Sequence, residues 1–395
     1  MKKYLISIVL IIIATICIGF FLYRTNLSYK TNKGSNTLQN TNNTSIQESN
    51  ISDVISDISD QERNTEEILF LIPVSNNTLK VYTIGIDGRN LKELLALDRR
   101  SFNTTVYGST FDSVAYRKEV ITDKTTINNI KNDLDKFKDA LLNYPIFTFS
   151  KNFYAYSMPI EESDFAKSTV ENGVTGGVCF KGVFLRNVET GKTVRIDKDL
   201  INQIPNSLFS KDGNLFVSSL SFSHDGKFLF VTSYPNDDLS VFSMEQMKFT
   251  GTFRMNVHHI WEVDKVLNSF YFLAGTDSSN IVQFDMDKKE PKPLTDCQES
   301  SYAISPDNKN LVFTETETYI DGKSDLGILD LVSGTIKKID YAKENEIAGF
   351  VHDSKHLIIK RYYKLSDTDI NYHIAIYLLN LDTLKEAKIY AETGS

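Results

Sequence analysis

Hydrophobic positions along the chain fall into three regimes. From Tyr4 to Tyr23, twenty uncharged and mostly apolar residues run together, with Lys2 and Lys3 before them and Arg24 after. At ~1.5 Å rise per residue this run spans ~30 Å as a helix, the hydrocarbon thickness of a bilayer. Residues 25–65 are the reverse: Ser, Thr, Asn and Gln fill 24 of 41 positions, and Phe and Trp are absent. So little apolar surface cannot offset the entropy of ordering the chain, which predicts a disordered tether. Only Ile51, Val54, Ile55 and Ile58 have helical spacing there, enough for one short helix near the end. From residue 66 onward, short apolar runs alternate with clusters of Asp, Gly, Asn and Ser, the pattern of strands and turns.

The third regime repeats itself. Ser223-His224-Asp225-Gly226-Lys227 is followed by "FLFV", Ser305-Pro306-Asp307-Asn308-Lys309 by "NLVF", and Val351-His352-Asp353-Ser354-Lys355 by "HLII". Ser210-Lys211-Asp212-Gly213-Asn214 and Ser150-Lys151-Asn152 are weaker copies, and "EVDKVLNSFYFLA" (262–274) is a degenerate one. Asp-Gly and Asp-Asn supply the backbone conformations of a tight hairpin turn. The alternating "SLSFS" before the turn reads as one strand, and the continuous apolar run after it as a strand buried on both faces. A third strand and a Lys-bearing fourth ("GTIKKI", "GKTVRI", "LKEAKIY") complete each unit, the lysines suiting an exposed sheet edge.

Four strands in every 40–50 residues, repeated, predict an all-β single propeller over residues 66–395. Seven units are counted, near 68–97, 102–143, 145–197, 207–254, 257–295, 299–340 and 345–390. The second is irregular: Ile127, Ile130, Leu134, Phe137 and Leu141 mark an amphipathic helix inserted near 127–142. If that unit is no blade, the count is six. The stretch "LKVYTIGIDGRNLKELL", with Asp87-Gly88 in its turn, and "SPDNKNLVF" resemble the TolB-type repeat of the WD40-like propellers. The resemblance covers roughly 66–390 as weak repeats and implies architecture, since such blades serve many unrelated functions. TolB proteins carry an N-terminal α/β domain where this chain has an apolar run and a tether, so no TolB partner is carried over.

The apolar run ends in Phe-Phe-Leu-Tyr-Arg without a small-x-small exit, and Ile16 stands where a lipoprotein needs a small residue before Cys17. It therefore reads as an uncleaved signal anchor over residues 1–24, contacting the bilayer through residues 4–23. The short N-terminal tail is placed on the cytoplasmic side, giving a single-pass protein of the cell membrane with its propeller outside the cytoplasm. Lys and Arg are balanced across the run, so this orientation rests on tail length. Formal net charge is −8, with no basic block, which disfavours a nucleic-acid partner. Cys179 and Cys297 are open to two readings, a single disulfide or two half-buried thiols.

Motifs for chemistry are absent. No Gly-x-Ser-x-Gly elbow and no His-Glu-x-x-His occurs. His352 and His356 lie across a hairpin turn, where a four-residue spacing does not converge as it does on a helix, so no metal is assigned. Asp237-Asp238, Asp285 and Asp287 fall in turns, and "NGVTGGV" (172–178) lacks the lysine and helix of a phosphate loop. No catalytic residue and no cofactor is expected. The leading reading is a non-catalytic module that binds a protein or glycan. The alternatives are a propeller-type hydrolase or lyase with its site at the channel mouth, and a structural accessory subunit of an envelope complex. Extra residues concentrate between second and third strands, at 159–177, 315–324 and 361–372, and the helix near 127–142 is read as following a second strand too. Loops on a rigid scaffold are where binding usually lives. The candidate ligand-binding residues are therefore His258, His259 and Trp261 before a first strand, and Tyr319, Arg361, Tyr362 and Tyr363 beside the long connections.

Overall fold

The computed structural model describes residues 47–63, 66–75, 78–98, 120–143, 146–159, 180–200, 215–233, 238–255, 257, 260–275, 280–295, 299–316, 324–343, 346–364 and 373–392. They form a β-propeller of six blades. Strand β1 (Gln47–Glu48) and helices α1 (Ile51–Val54) and α2 (Asp60–Arg63) lead into the first blade. That blade holds β2 (Glu67–Ser75), β3 (Thr78–Gly85), β4 (Lys92–Asp98) and β5 (Val120–Ile121). Helices α3 (Lys124–Asn132) and α4 (Leu134–Asn143) carry the chain to the second blade, β6 (Ile146–Ser150), β7 (Phe153–Pro159), β8 (Phe180–Asn187) and β9 (Thr193–Arg195). The third comprises β10–β13 (Phe216–Phe222, Phe228–Ser233, Asp238–Ser243, Lys248–Phe253), and the fourth β14–β17 (Ile260–Val266, Ser269–Ala274, Asn280–Asp285, Glu290–Pro293). The fifth is β18–β21 (Glu299–Ile304, Asn310–Thr316, Ser324–Asp330, Ile336–Lys343), and the sixth β22–β25 (Glu346–Phe350, His356–Tyr363, His373–Asn380, Lys385–Ala391).

The expectation of seven blades is corrected to the alternative of six. Of the unit at 102–143, the described part contributes one short strand and a helical hairpin. Strand β5 pairs with β2 on the side away from β3 (Leu69↔Ile121, Phe70↔Val120) and lies against β22. It is the inner strand of the first blade, reached only after the outer three. The expected helix is present, broken in two where Asp133 takes a non-helical φ of −140°. Asp123 caps α3 by accepting from Thr126 N at 2.7 Å. Ile127, Ile130, Phe137 and Leu141 bury against Leu69, Leu71, Leu79, Val81 and Leu97, and Phe149 of β6 packs on the same cluster. The hairpin is thus a wedge between the first two blades. It follows an innermost strand, not a second strand as the sequence suggested.

Blades pack face to face through strands that are apolar on both sides. In β11 (228–233), Val231 and Leu229 join the core toward the second blade while Phe230 joins the core toward the fourth. The alternation of a strand's side chains converts one continuous apolar run into two cores. The inner strands are also tied by hydrogen bonds. Ser219 Oγ donates to Ile260 O (2.9 Å), Val263 N donates to Ser221 Oγ (3.1 Å), and Ile347 N donates to Ser301 Oγ (2.8 Å). The serines of "SLSFS" and "SSYAIS" therefore join neighbouring blades near the axis.

The ring closes where the sixth blade meets the first. Ile358, Ile374, Ile376 and Leu378 pack on Ile68, Phe70 and Ile72, with Val54, Ile55 and Ile58 completing the same core. The tether expected through residue 65 is corrected over 47–63, which is packed structure. The four apolar residues at helical spacing supply the surface that its composition otherwise lacks. Residues 1–46, with the apolar run, lie outside the described residues. Among those described, no helix is long and apolar enough to cross a membrane.

Candidate functional site

Antiparallel strands put every first-to-second and third-to-fourth connection on one face of the ring, and the other connections on the opposite face. On the first of these faces the repeated motif explains itself. Ser223 Oγ donates to Asp225 Oδ1 (2.7 Å), which also accepts from Lys227 N (3.0 Å), while Phe228 N donates to Ser223 Oγ (3.0 Å). Ser305 and Asp307 repeat the arrangement at 2.6 and 3.1 Å. Gly226, Asn308 and Ser354 take the left-handed position at φ 69°, 60° and 60°. The third-to-fourth hairpins have their own device: Asp87, Asp285, Asp330 and Asn380 each accept from backbone N–H groups two or three residues on. All these connections are tight.

The opposite face is uneven. Its second-to-third connections run from Ser75 to Thr78, Ser233 to Asp238 and Ala274 to Asn280, but also from Pro159 to Phe180, Thr316 to Ser324 and Tyr363 to His373. His258, His259, Tyr319, Cys179 and Cys297 lie outside the described residues. Trp261 is in β14, opposite Leu273, at an inner-strand bulge where Glu262 takes φ 51°.

Arg361 is corrected from a surface binder to a core residue. It is 8 % exposed and pairs through Nη2 with Glu386 Oε2 at 2.7 Å, and its guanidinium lies 3.9 Å from the Tyr377 ring centre. Its neighbours on β23 alternate sides. Tyr362 packs into the closure core, its hydroxyl 3.3 Å from Glu346 and Lys360 Nζ 4.8 Å from its ring. Tyr363 points the other way, donates to Glu392 O and stands beside His373. The expected cluster is therefore divided between two blade interfaces.

No motif announces the polar network at the closure, where His356 is wholly buried. Its Nδ1 meets Asp353, and its Nε2 lies 2.8 Å from Val54 O, 3.4 Å from Asp57 Oδ1 and 3.0 Å from Asn380 Nδ2. Burial alone would push its pKa down. The Asp353 carboxylate, the Val54 carbonyl and Asp57 outweigh this and hold it above the usual histidine value. Lys355 reaches Asp382 (3.2 Å) and Asp57 (3.8 Å), and Arg63 donates to Ile55 O (2.6 Å). Strand β1 pairs in parallel with β25, Ser49 N donating to Glu386 O at 2.8 Å. Only the helical spacing of Val54, Ile55 and Ile58 signalled this strap in advance. A second pair, His224 Nδ1 to Asp264 at 2.9 Å, joins the third blade's turn to the fourth blade. Burial, then Asp264 and Glu262, raise the pKa of Tyr302 well above normal, and its hydroxyl donates to Tyr271 O at 2.8 Å. No cluster of metal-ligating side chains occurs among the described residues.

No protein-family model and no curated protein matches the sequence. Among solved structures the chain is similar to one in a nidogen/laminin complex, at 10% identity over 81% of this chain and 91% of that one, with a TM-score of 0.40. It is also similar to the β-propeller domain of the trilobed protease from Pyrococcus furiosus (11% identity, 60% and 69% covered, TM-score 0.37) and to a chain of a mitotic checkpoint complex (10%, 63% and 79%, 0.33).

Proposed function

We propose that this chain is a membrane-anchored, extracytoplasmic propeller that binds a protein or glycan through its long-loop face and performs no chemistry of its own. The observation that carries this reading is the inequality of the two faces. Every described first-to-second and third-to-fourth connection is short, while second-to-third connections as different as Ser75–Thr78 and Pro159–Phe180 share the other face. A rigid ring whose second-to-third connections vary this widely has the form of a scaffold presenting loops. The inner-strand serines Ser219, Ser221 and Ser301 are occupied in joining blades, which supports a structural rather than a chemical use of the described axis residues. Anchoring rests on the apolar run 4–23.

The test uses the full-length chain in native membranes. Protease added from outside should release a fragment beginning near residue 47, and protection of the propeller would overturn the orientation. Photo-crosslinking side chains placed at His259 and Tyr319 should give a discrete partner adduct, and the same groups at Lys227 and Lys309 should not. Replacing His259 and Tyr319 by Ala should weaken capture of that partner ~30-fold, a loss of ~2 kcal/mol. Adducts from the lysine positions alone would overturn the choice of face.

A further inference from the structure

The tight-turn face carries residues that the binding reading leaves unused. Among the described residues, the exposed large apolar side chains are Leu91, Met158, Val194, Met247, Leu267 and Val332. Leu91, Met247, Leu267 and Val332 sit in first-to-second or third-to-fourth connections, all on this face. Leu267 is 76 % exposed and Val332 79 %. An isolated apolar residue on a surface is ordinary. The backbone makes two of these unusual: Leu267 is held at φ 50° and Met247 at φ 51°, the left-handed region that a Cβ disfavours. Leu267 is the first residue of the two-residue hairpin closed by Val266↔Ser269, a place that favours glycine. At Leu267, 76 % exposed and held at φ 50°, the chain thus puts a large apolar side chain where both backbone and solvent oppose it. Departures of that kind point to function.

Two further observations select the occupant. The lead-in strand β1 joins the ring at the start of β25, where Gln47 N donates to Leu384 O (3.0 Å). That point is a third-to-fourth turn, so Gln47, to which the preceding chain is joined, lies on this same face. Several charges of the face are also paired in place: Lys227 with Asp225 (2.8 Å), Lys288 with Asp285 (3.3 Å), Lys309 with Asp307 (3.3 Å) and Arg89 with Asp87 (3.7 Å). Paired charge gives little electrostatic attraction to an anionic surface, but it sets no long-range barrier against close approach to lipid. Apolar tips projecting beside these paired charges suit shallow insertion at the boundary of headgroups and acyl chains. The lysine stems beside them can lie along that boundary with their ammonium groups in water.

We propose that the tight-turn face rests on the bilayer, with Leu267, Met247 and Val332 inserted, so that the propeller lies face-down and its loop face is directed away from the membrane. This rests on the anchor reading above, and the experiment separates the two. The full-length chain, with Cys17, Cys179 and Cys297 changed to Ala, receives one cysteine by Leu267→Cys, Val332→Cys or Met158→Cys. Met158, at the loop-face end of β7, is the control. Each variant is labelled with an environment-sensitive fluorophore and reconstituted into phosphatidylcholine vesicles whose acyl chains are brominated. Label at 267 and 332 should be quenched at least about twofold and blue-shifted, label at 158 should not, and added salt should leave the difference unchanged. Vesicles that float with the chain but show no quenching at 267 and 332 would overturn the docking while leaving the anchor standing. A chain that fails to float with the vesicles would overturn the anchor. Disulfide dimers formed through Leu267→Cys in preference to quenching would assign the face to a second copy of the chain, and the lipid proposal would fall.

Discussion

Replacing His356 by Phe, the residue at the equivalent place in the third blade (Phe228), isolates what the closure network contributes. Both ring nitrogens face acceptors, Asp353 on one side and the Val54 carbonyl at 2.8 Å on the other, so the imidazolium form donates at both ends. Hydrogen bonds to charged groups contribute ~1.5–3 kcal/mol each, so losing two costs about 3–6 kcal/mol. The added apolar burial of Phe returns about 1–2 kcal/mol, which leaves a net loss of about 1–5 kcal/mol. The loss should concentrate in residues 50–63, whose attachment runs through Val54 and Asp57. Hydrogen exchange at the amides of Val54, Ile55 and Ile58, corrected for intrinsic rates, should accelerate by about a hundredfold. The wild-type chain should show a matching pH dependence. His356 has a raised folded pKa, so its stabilisation is fully present below about pH 6.5, its ordinary value, and fades as pH rises through the higher folded value. Other charges face the same ring. Asp353 has a folded pKa below normal: burial works to raise it, but the bond to His356 prevails. Its contribution is lost as pH falls below the usual carboxylate range, which places maximal protection between the two. Asp57 and Asp382 are bridged by Lys355, which stays charged throughout that window. Exchange in His356→Phe equal to wild type at pH 6, or wild-type protection that does not weaken toward alkaline pH, would refute the reasoning.

Other perturbations follow from the same contacts. Glu386→Gln leaves Arg361 as a charge 8 % exposed without its carboxylate, which should cost ~3–5 kcal/mol and be visible as a lowered denaturant midpoint. Arg361→Met with Glu386→Leu should recover most of that loss. Gly226→Ala meets both a φ of 69° and Ser150 Oγ at 2.6 Å from the new Cβ, so its melting temperature should fall well below that of a neutral surface substitution. Gly327→Ala would put a Cβ 2.1 Å from the Phe313 ring, which is fully buried against it; proteolysis of the fifth blade should rise sharply. Asp307→Ala removes the acceptor of Ser305 Oγ and Lys309 N and should destabilise by ~1–2 kcal/mol in urea titration.

The blades were legible because turn chemistry and strand pattern agree. Asp225, Asp307 and Asp353 announce hairpins, and the apolar runs after them have to be buried on both sides. A count by sequence repeat fails at 102–143 because the first blade is not continuous in sequence. The first blade takes its inner strand from Val120–Ile121, after its outer three, and two residues leave no periodic signature. Composition likewise concealed the strap. Val54, Ile55 and Ile58 are too few to hold a helix alone, and their burial depends on partners some three hundred residues away. Arg361 looked like a loop-face cation because the Glu386 that neutralises it lies on another strand, and charge pairing across a sheet cannot be read along one chain.

The strap also sets a timetable. Its seat is made of Asn380, Lys385 and Glu386, which are synthesised well after Gln47 to Arg63. Earlier blades can pair their own strands as they appear, but the ring cannot close until the sixth blade has been made. Until then the apolar faces of Ile68, Phe70 and Ile72 await Ile358, Ile374 and Ile376. A nascent chain stalled before residue 380 would hold blades without a ring, and a premature stop there would release an open arc with an uncovered core, a substrate for quality-control proteases.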